Sequence, residues 1–124
     1  MADVRNDLNG LRMQLPGNPA IYLIDEGCKR HIPNPPTFDN LFRDWSYIQD
    51  IDIDEIQTGT QITDGAILAQ GKGRAEVYLI DGGTKRYVPS PAVMDRYNFR
   101  WPTNRIDTAI IDAIPTGRPI AAPH

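Results

Sequence analysis

The sequence predicts an α+β chain of two tandem units, each a small antiparallel β-meander plus a short helix, packed with pseudo-twofold symmetry. Three observations predict it. First, Val77-Tyr78-Leu79-Ile80-Asp81-Gly82-Gly83-Thr84-Lys85-Arg86-Tyr87-Val88-Pro89 repeats Ile21-Tyr22-Leu23-Ile24-Asp25-Glu26-Gly27-Cys28-Lys29-Arg30-His31-Ile32-Pro33 at an offset of 56 residues. Second, the match extends outward, from Gln14/Gln70 and Gly17/Gly73 to Pro35/Pro91, Asp39/Asp95 and Trp45/Trp101. Third, each copy passes from alternating, strand-like residues into a proline-initiated helical pattern. The second copy gains two residues after its Trp, and register returns at Ile56-Gln57-Thr58-Gly59 against Ile114-Pro115-Thr116-Gly117. The division is therefore an N-terminal arm (1–8), unit one (9–64), unit two (65–121) and a short tail (122–124).

Taken in order, residues 1–9 are polar and patternless, which predicts a frayed arm. Leu11-Arg12-Met13-Gln14-Leu15 alternates as a half-buried strand does, and Pro16-Gly17-Asn18-Pro19 signals a turn. Ala20 to Asp25 carries apolar residues on both faces, as a central strand covered from both sides does. Glu26-Gly27 turns the chain, and Cys28 to Ile32 returns antiparallel until Pro33, which has no N–H for the ladder. Pro35 to Phe42 predicts a short helix with Phe38, Leu41 and Phe42 on one face. In the second copy Ser90 is the expected N-cap, Pro91 the first helical residue, and Met94 and Tyr97 the sheet-facing side chains.

The repeated Trp45 and Trp101 read first as core plugs and second as platforms for a stacked ligand. Thr58-Gly59 and Thr116-Gly117 are expected to close each unit with a turn, and Ile62 and Ile120 to fasten its tail. Thr63-Asp64-Gly65 leads directly into the second meander without a flexible spacer, so the units are expected to share a core.

Composition narrows the function. A chain of 124 residues with net charge -3 has no general attraction for DNA, RNA or anionic lipid. Neither nucleic-acid binding nor membrane insertion is expected, and no apolar run is long enough to span a bilayer. The single Cys28 excludes an internal disulfide, and Thr84 takes its place in the other copy, which argues against a catalytic thiol. His31 is replaced by Tyr87, leaving no repeated histidine base and no His/Cys metal set. Asp50-Ile51-Asp52-Ile53-Asp54-Glu55 has a calcium-like acidic alternation. No Gly occupies the sixth place, however, and Gln61 stands where a bidentate Glu belongs, so a capped helix or strand-like segment is expected instead. Asp25 and Asp81 could form a carboxylate pair only if the packing held them roughly 5 to 10 Å apart across a cleft. As residues at hairpin corners they read better as acceptors for turn amides. No enzyme activity and no cofactor are expected.

What the repeat offers is recognition. Each copy supplies a Tyr (Tyr22, Tyr78), an Asp (Asp25, Asp81), a Lys-Arg pair (Lys29 and Arg30, Lys85 and Arg86), a second ring (His31, Tyr87) and a Trp (Trp45, Trp101). Rings stack on the apolar faces of sugars, and charged side chains fork hydrogen bonds to neighbouring hydroxyls. These residues are the candidate ligand site, one per unit, and duplication would add avidity for a multivalent glycan. On alternating strands Lys29 and His31 share one face while Arg30 and Ile32 share the other, so the Lys-Arg pairs also read as ordinary flanking charges or as partners of the Asp.

The Tyr-Leu-Ile-Asp-x-Gly-x-Lys-Arg-x-(Ile/Val)-Pro element, with its following helix, Trp and Thr-Gly, resembles a tandem repeat of bacterial exported and surface proteins. The likeness covers nearly the whole chain and extends to small actinobacterial tandem-repeat lectins. It departs at Asn34, where Ser90 fits the pattern, at Cys28, and in an N-terminus without an apolar signal core. The resemblance implies a secreted or cell-surface, non-catalytic module that binds glycans or cell-envelope polysaccharide. A protein-interaction or self-assembly module is the alternative, and a homodimer stays open because exposed sheet edges invite pairing.

Overall fold

A computed structural model describes residues 2–14, 16–50, 55–103 and 105–124. It shows an α+β fold of two similar sheet-plus-helix units. In the first, β1 (Arg12–Gln14), β2 (Ile21–Asp25) and β3 (Cys28–His31) form the expected antiparallel meander, followed by α1 (Pro35–Leu41) and β4 (Ile48–Asp50). In the second, β5 (Ile67–Gly71), β6 (Val77–Asp81) and β7 (Thr84–Val88) repeat the meander, followed by α2 (Pro91–Arg96), β8 (Arg105–Ile106) and α3 (Thr108–Asp112). The strand orders are the same, β3-β2-β1-β4 and β7-β6-β5-β8. Each unit thus holds one strand more than a meander, and that strand pairs parallel with the first.

The helices start where the sequence places them. Asn34 and Ser90 cap them, their side-chain oxygens accepting from the Thr37 and Val93 amides, and prolines fill the first turn. Phe38, Leu41 and Phe42 are buried in the first unit, and Met94 and Tyr97 in the second. They join a continuous apolar core with Leu23, Ile32, Leu79 and Val88, so residues of both units share it. Each helix also reaches across. Asn40 of α1 donates to the Ala66 carbonyl before β5, and Arg96 at the end of α2 donates to the Asn9 carbonyl before β1. Between the units Phe42 bridges Phe99 antiparallel, and the Arg43 and Arg100 amides donate to the Asn98 and Leu41 carbonyls.

Several expectations change. The N-terminal arm is docked rather than frayed: Asp3 exchanges backbone hydrogen bonds with residues 55 and 57, and the Arg5 amide donates to the Gly27 carbonyl. Val4 and Arg5 lie so close to Gly27 that a Cβ there would meet them at 2.4 and 2.9 Å. Arg12, expected on the solvent side of an alternating strand, is buried. Its guanidinium donates to the carbonyls of Gly10, Tyr97 and Ser46 and lies over the Phe42 ring, a bridge that Leu68, its counterpart in the second unit, cannot make.

The repeated Thr-Gly is not a turn. Thr58 and Thr116 bridge the third strands in parallel at Lys29 and Lys85. Gly59 and Gly117 then pass so near that an added Cβ would sit 3.0 Å from Cys28 Cβ and from Thr84 Oγ1, respectively. Ile62 and Ile120 are buried as expected, their amides donating to the His31 and Tyr87 carbonyls. Of the acidic alternation, residues 51–54 lie outside the described residues; the matching segment of unit two is β8 and α3, with Asp107 as the N-cap.

Candidate functional site

The candidate residues, expected as one patch per unit, are separated by strand alternation into three places. Asp25, Arg30, Asp81 and Arg86 meet at the seam between the units. Arg30 donates from Nη1 to Asp25 at 2.8 Å and from Nη2 to Asp81 of the other unit. Arg86 reciprocates across the seam, donating from both Nη1 and Nη2 to Asp25. The remaining Nε atoms donate to equivalent backbone carbonyls, Thr60 for Arg30 and Arg118 for Arg86. The two carboxylates keep only 2% and 4% of their side-chain surface. A cavity of about 460 Å³ opens above them, rimmed by Glu26, Arg118, Gly59 and Gly117.

Burial alone would raise the Asp81 pKa, but the Thr63 amide and the Arg30 guanidinium outweigh it and hold the carboxyl below the usual range. Burial likewise opposes the charge on Arg86, and the Asp25 carboxylate more than compensates, leaving its pKa raised. Tyr97 lies within reach of the same field. Burial, reinforced by Asp25, pushes its phenol well above the ordinary tyrosine range while its hydroxyl donates to the Ala121 carbonyl at 2.6 Å. Every nitrogen of the Arg30 and Arg86 guanidinium groups is already engaged, and Arg86 Nη2 also reaches Glu26 at 3.3 Å. The arrangement clamps one unit to the other.

Tyr22, Lys29, Tyr78 and Lys85 occupy the opposite sheet faces. Lys29 Nζ lies 5.8 Å from the Tyr22 ring centroid and Lys85 Nζ lies 5.5 Å from that of Tyr78. Lys85 is buried and donates to the Ile111 carbonyl at the end of α3. His31 and Tyr87 pack across the same strand pairs, tilted against Tyr22 and Tyr78 at 5.4 and 5.9 Å.

The third place is a groove on each unit, beside the helix start. The first, about 290 Å³, is lined by Pro19, Ala20, His31, Pro33, Phe38 and Trp45 among others. The second, about 470 Å³, is lined by Ala75, Glu76, Tyr87, Pro89, Met94 and Trp101. These two sets correspond residue for residue at the repeat offset. Trp45 and Trp101 are 46% and 45% exposed, so neither is the plug expected of a repeated Trp in a small core. Trp45 is held by its inner face, stacked 4.0 Å from the Phe38 ring, and by its indole N–H donating to Asp39 at 2.9 Å. The stack continues inward through Phe42, Phe99 and Tyr97, fixing the platform to the shared core.

Sequence reasoning found the ring residues of these grooves but not their walls. The repeated prolines at 33/89 and 35/91 and Pro19 were the available signal, read only as strand, turn and helix punctuation. The chain matches no family model, no curated protein and no solved structure. Among the described residues no group of three or more His, Cys, Asp or Glu could hold a metal ion. No described helix is long and apolar enough to cross a membrane.

Proposed function

We propose that the protein is a non-catalytic, bivalent carbohydrate-binding module, with one ligand groove per unit and the units related by an approximate twofold. The single observation that supports this most is the pair of corresponding grooves, each walled by a half-exposed indole. Trp45, with one face packed on Phe38 and the rest open, suits stacking on a pyranose at little entropic cost, and Trp101 offers an equally exposed indole. His31 and Tyr87 stand as the second ring of each groove, with Trp45 and Trp101 as the principal platforms. Asp25, Arg30, Asp81 and Arg86 act in this reading by fixing the spacing of the grooves rather than by touching ligand. Two weak sites at a fixed separation favour a repeating polymer such as a cell-envelope polysaccharide or surface glycan over a free monosaccharide.

The test is a glycan array probed with the labelled protein and with the Trp45→Ala/Trp101→Ala double variant. Binding to a defined glycan class that the double variant loses, while it remains folded at the assay temperature, supports the reading. Silence of the wild-type protein across bacterial and animal glycans would remove it in favour of a protein partner at the same grooves.

A further inference from the structure

Resting on the carbohydrate reading, the differences between the grooves indicate what each one prefers. Glu76 is the one charged residue among those lining the second groove, and it is exposed at the wall. Its counterpart in the first groove is Ala20, and no Asp, Glu, Lys or Arg lines that groove. The nearby Arg74 is already paired with Asp112 through two contacts of 2.8 and 3.2 Å. Glu76, which feels the Arg74 charge but makes no direct ion pair with it, lines a groove that also offers the Tyr87 and Trp101 rings and the Met94 side chain. Trp101 also borders a further depression, with Ile67, Pro102 and Ile106.

We propose that the second groove selects sugar residues bearing a free ammonium group, with Glu76 as the specificity-determining residue. An ammonium seated against Trp101 and Tyr87 gains cation–π attraction, and the carboxylate supplies the counter-charge. N-acetylation removes that charge and replaces it with a bulkier neutral amide. The first groove has the rings without a carboxylate in its wall, Asp39 being held at the Trp45 indole N–H, which suits neutral residues. Together the two grooves would read a polymer in which free amino sugars and neutral sugars alternate or mix.

The test titrates the 15N-labelled full chain with a fully deacetylated glucosamine tetramer and, separately, with its fully N-acetylated counterpart. Each groove is followed through its own indole N–H signal, Trp45 or Trp101. The expected result is about fivefold tighter binding of the deacetylated oligomer at Trp101 with no such preference at Trp45. Raised salt should shrink that preference. Glu76→Gln should abolish it while keeping the N-acetylated affinity, and Ala20→Glu should create it at Trp45. Equal affinity for both oligomers at Trp101 would overturn the ammonium assignment and leave the carbohydrate reading standing. No shift at either indole with either oligomer would overturn the assignment as well, and the glycan array then decides separately whether the carbohydrate reading survives.

Discussion

At the scale of single residues, the Asp-Arg positions show how one repeated pattern serves two ends. Asp81 is ionised below its ordinary range in the folded state, so its stabilisation is fully present above the unfolded pKa, near 3.9. It is lost as pH falls through the folded value. The melting temperature should accordingly drop on acidification below about pH 4. Asp81→Asn should flatten that dependence and cost about 3 kcal/mol at neutral pH, because Arg30 loses one of its two buried anions. Chemical denaturation across a pH series measures both. An unchanged acid limb in the variant would show that the seam is not the acid-sensitive part. The residues at this seam were legible in the sequence as a type and a spacing. Asp25 was legible as an alternative partner of the Lys-Arg pair, but the partners across the seam were not, because alternation says only that Arg30 and Lys29 face opposite ways. Which face meets the other unit is decided by packing.

The short elements show the same division between local and long-range information. The helices α1 and α2 were legible, since their caps, prolines and apolar faces lie within a few residues of each other. Ser90→Ala should cost about 1 kcal/mol by leaving the Val93 amide uncapped, measurable as a lower denaturation midpoint with an unchanged slope. The parallel strands β4 and β8 were legible at most as one side of a helix-or-strand alternative, and their pairing was not. They span three and two residues, their partners lie more than thirty positions away, and no alternation can be read from so short a run. The Thr-Gly segments were misread for a related reason. A glycine at positive φ and a glycine needed for close approach look alike in a sequence. Gly117→Ala should place a Cβ 3.0 Å from Thr84 Oγ1 and 3.2 Å from Arg86 Cγ, loosening the tail from the edge strand. Faster amide exchange at Gly117 and Ile120, which donate to the Lys85 and Tyr87 carbonyls, would report it. Protection as in the wild type would show that the neighbours yield without loss.

For the whole molecule, the repeat made the duplicated architecture legible, and the structure adds that the two units are interdependent. One apolar core runs through both, their helices reach across, and the ion network is closed only when both are present. The chain should therefore unfold in a single transition, with far- and near-ultraviolet signals coinciding; a resolved intermediate would indicate units of separate stability. That rigidity is what would make two weak grooves act together, because their spacing is set by the seam rather than by a linker. The array hit provides the ligand for the most direct measurement, a calorimetric titration that counts sites per chain in the wild type and in Trp45→Ala and Trp101→Ala. Two sites are expected in the wild type, one in each single variant and none in the double variant. A single site per chain that survives both substitutions would contradict that expectation and place the ligand elsewhere, with the seam cavity the first position to examine.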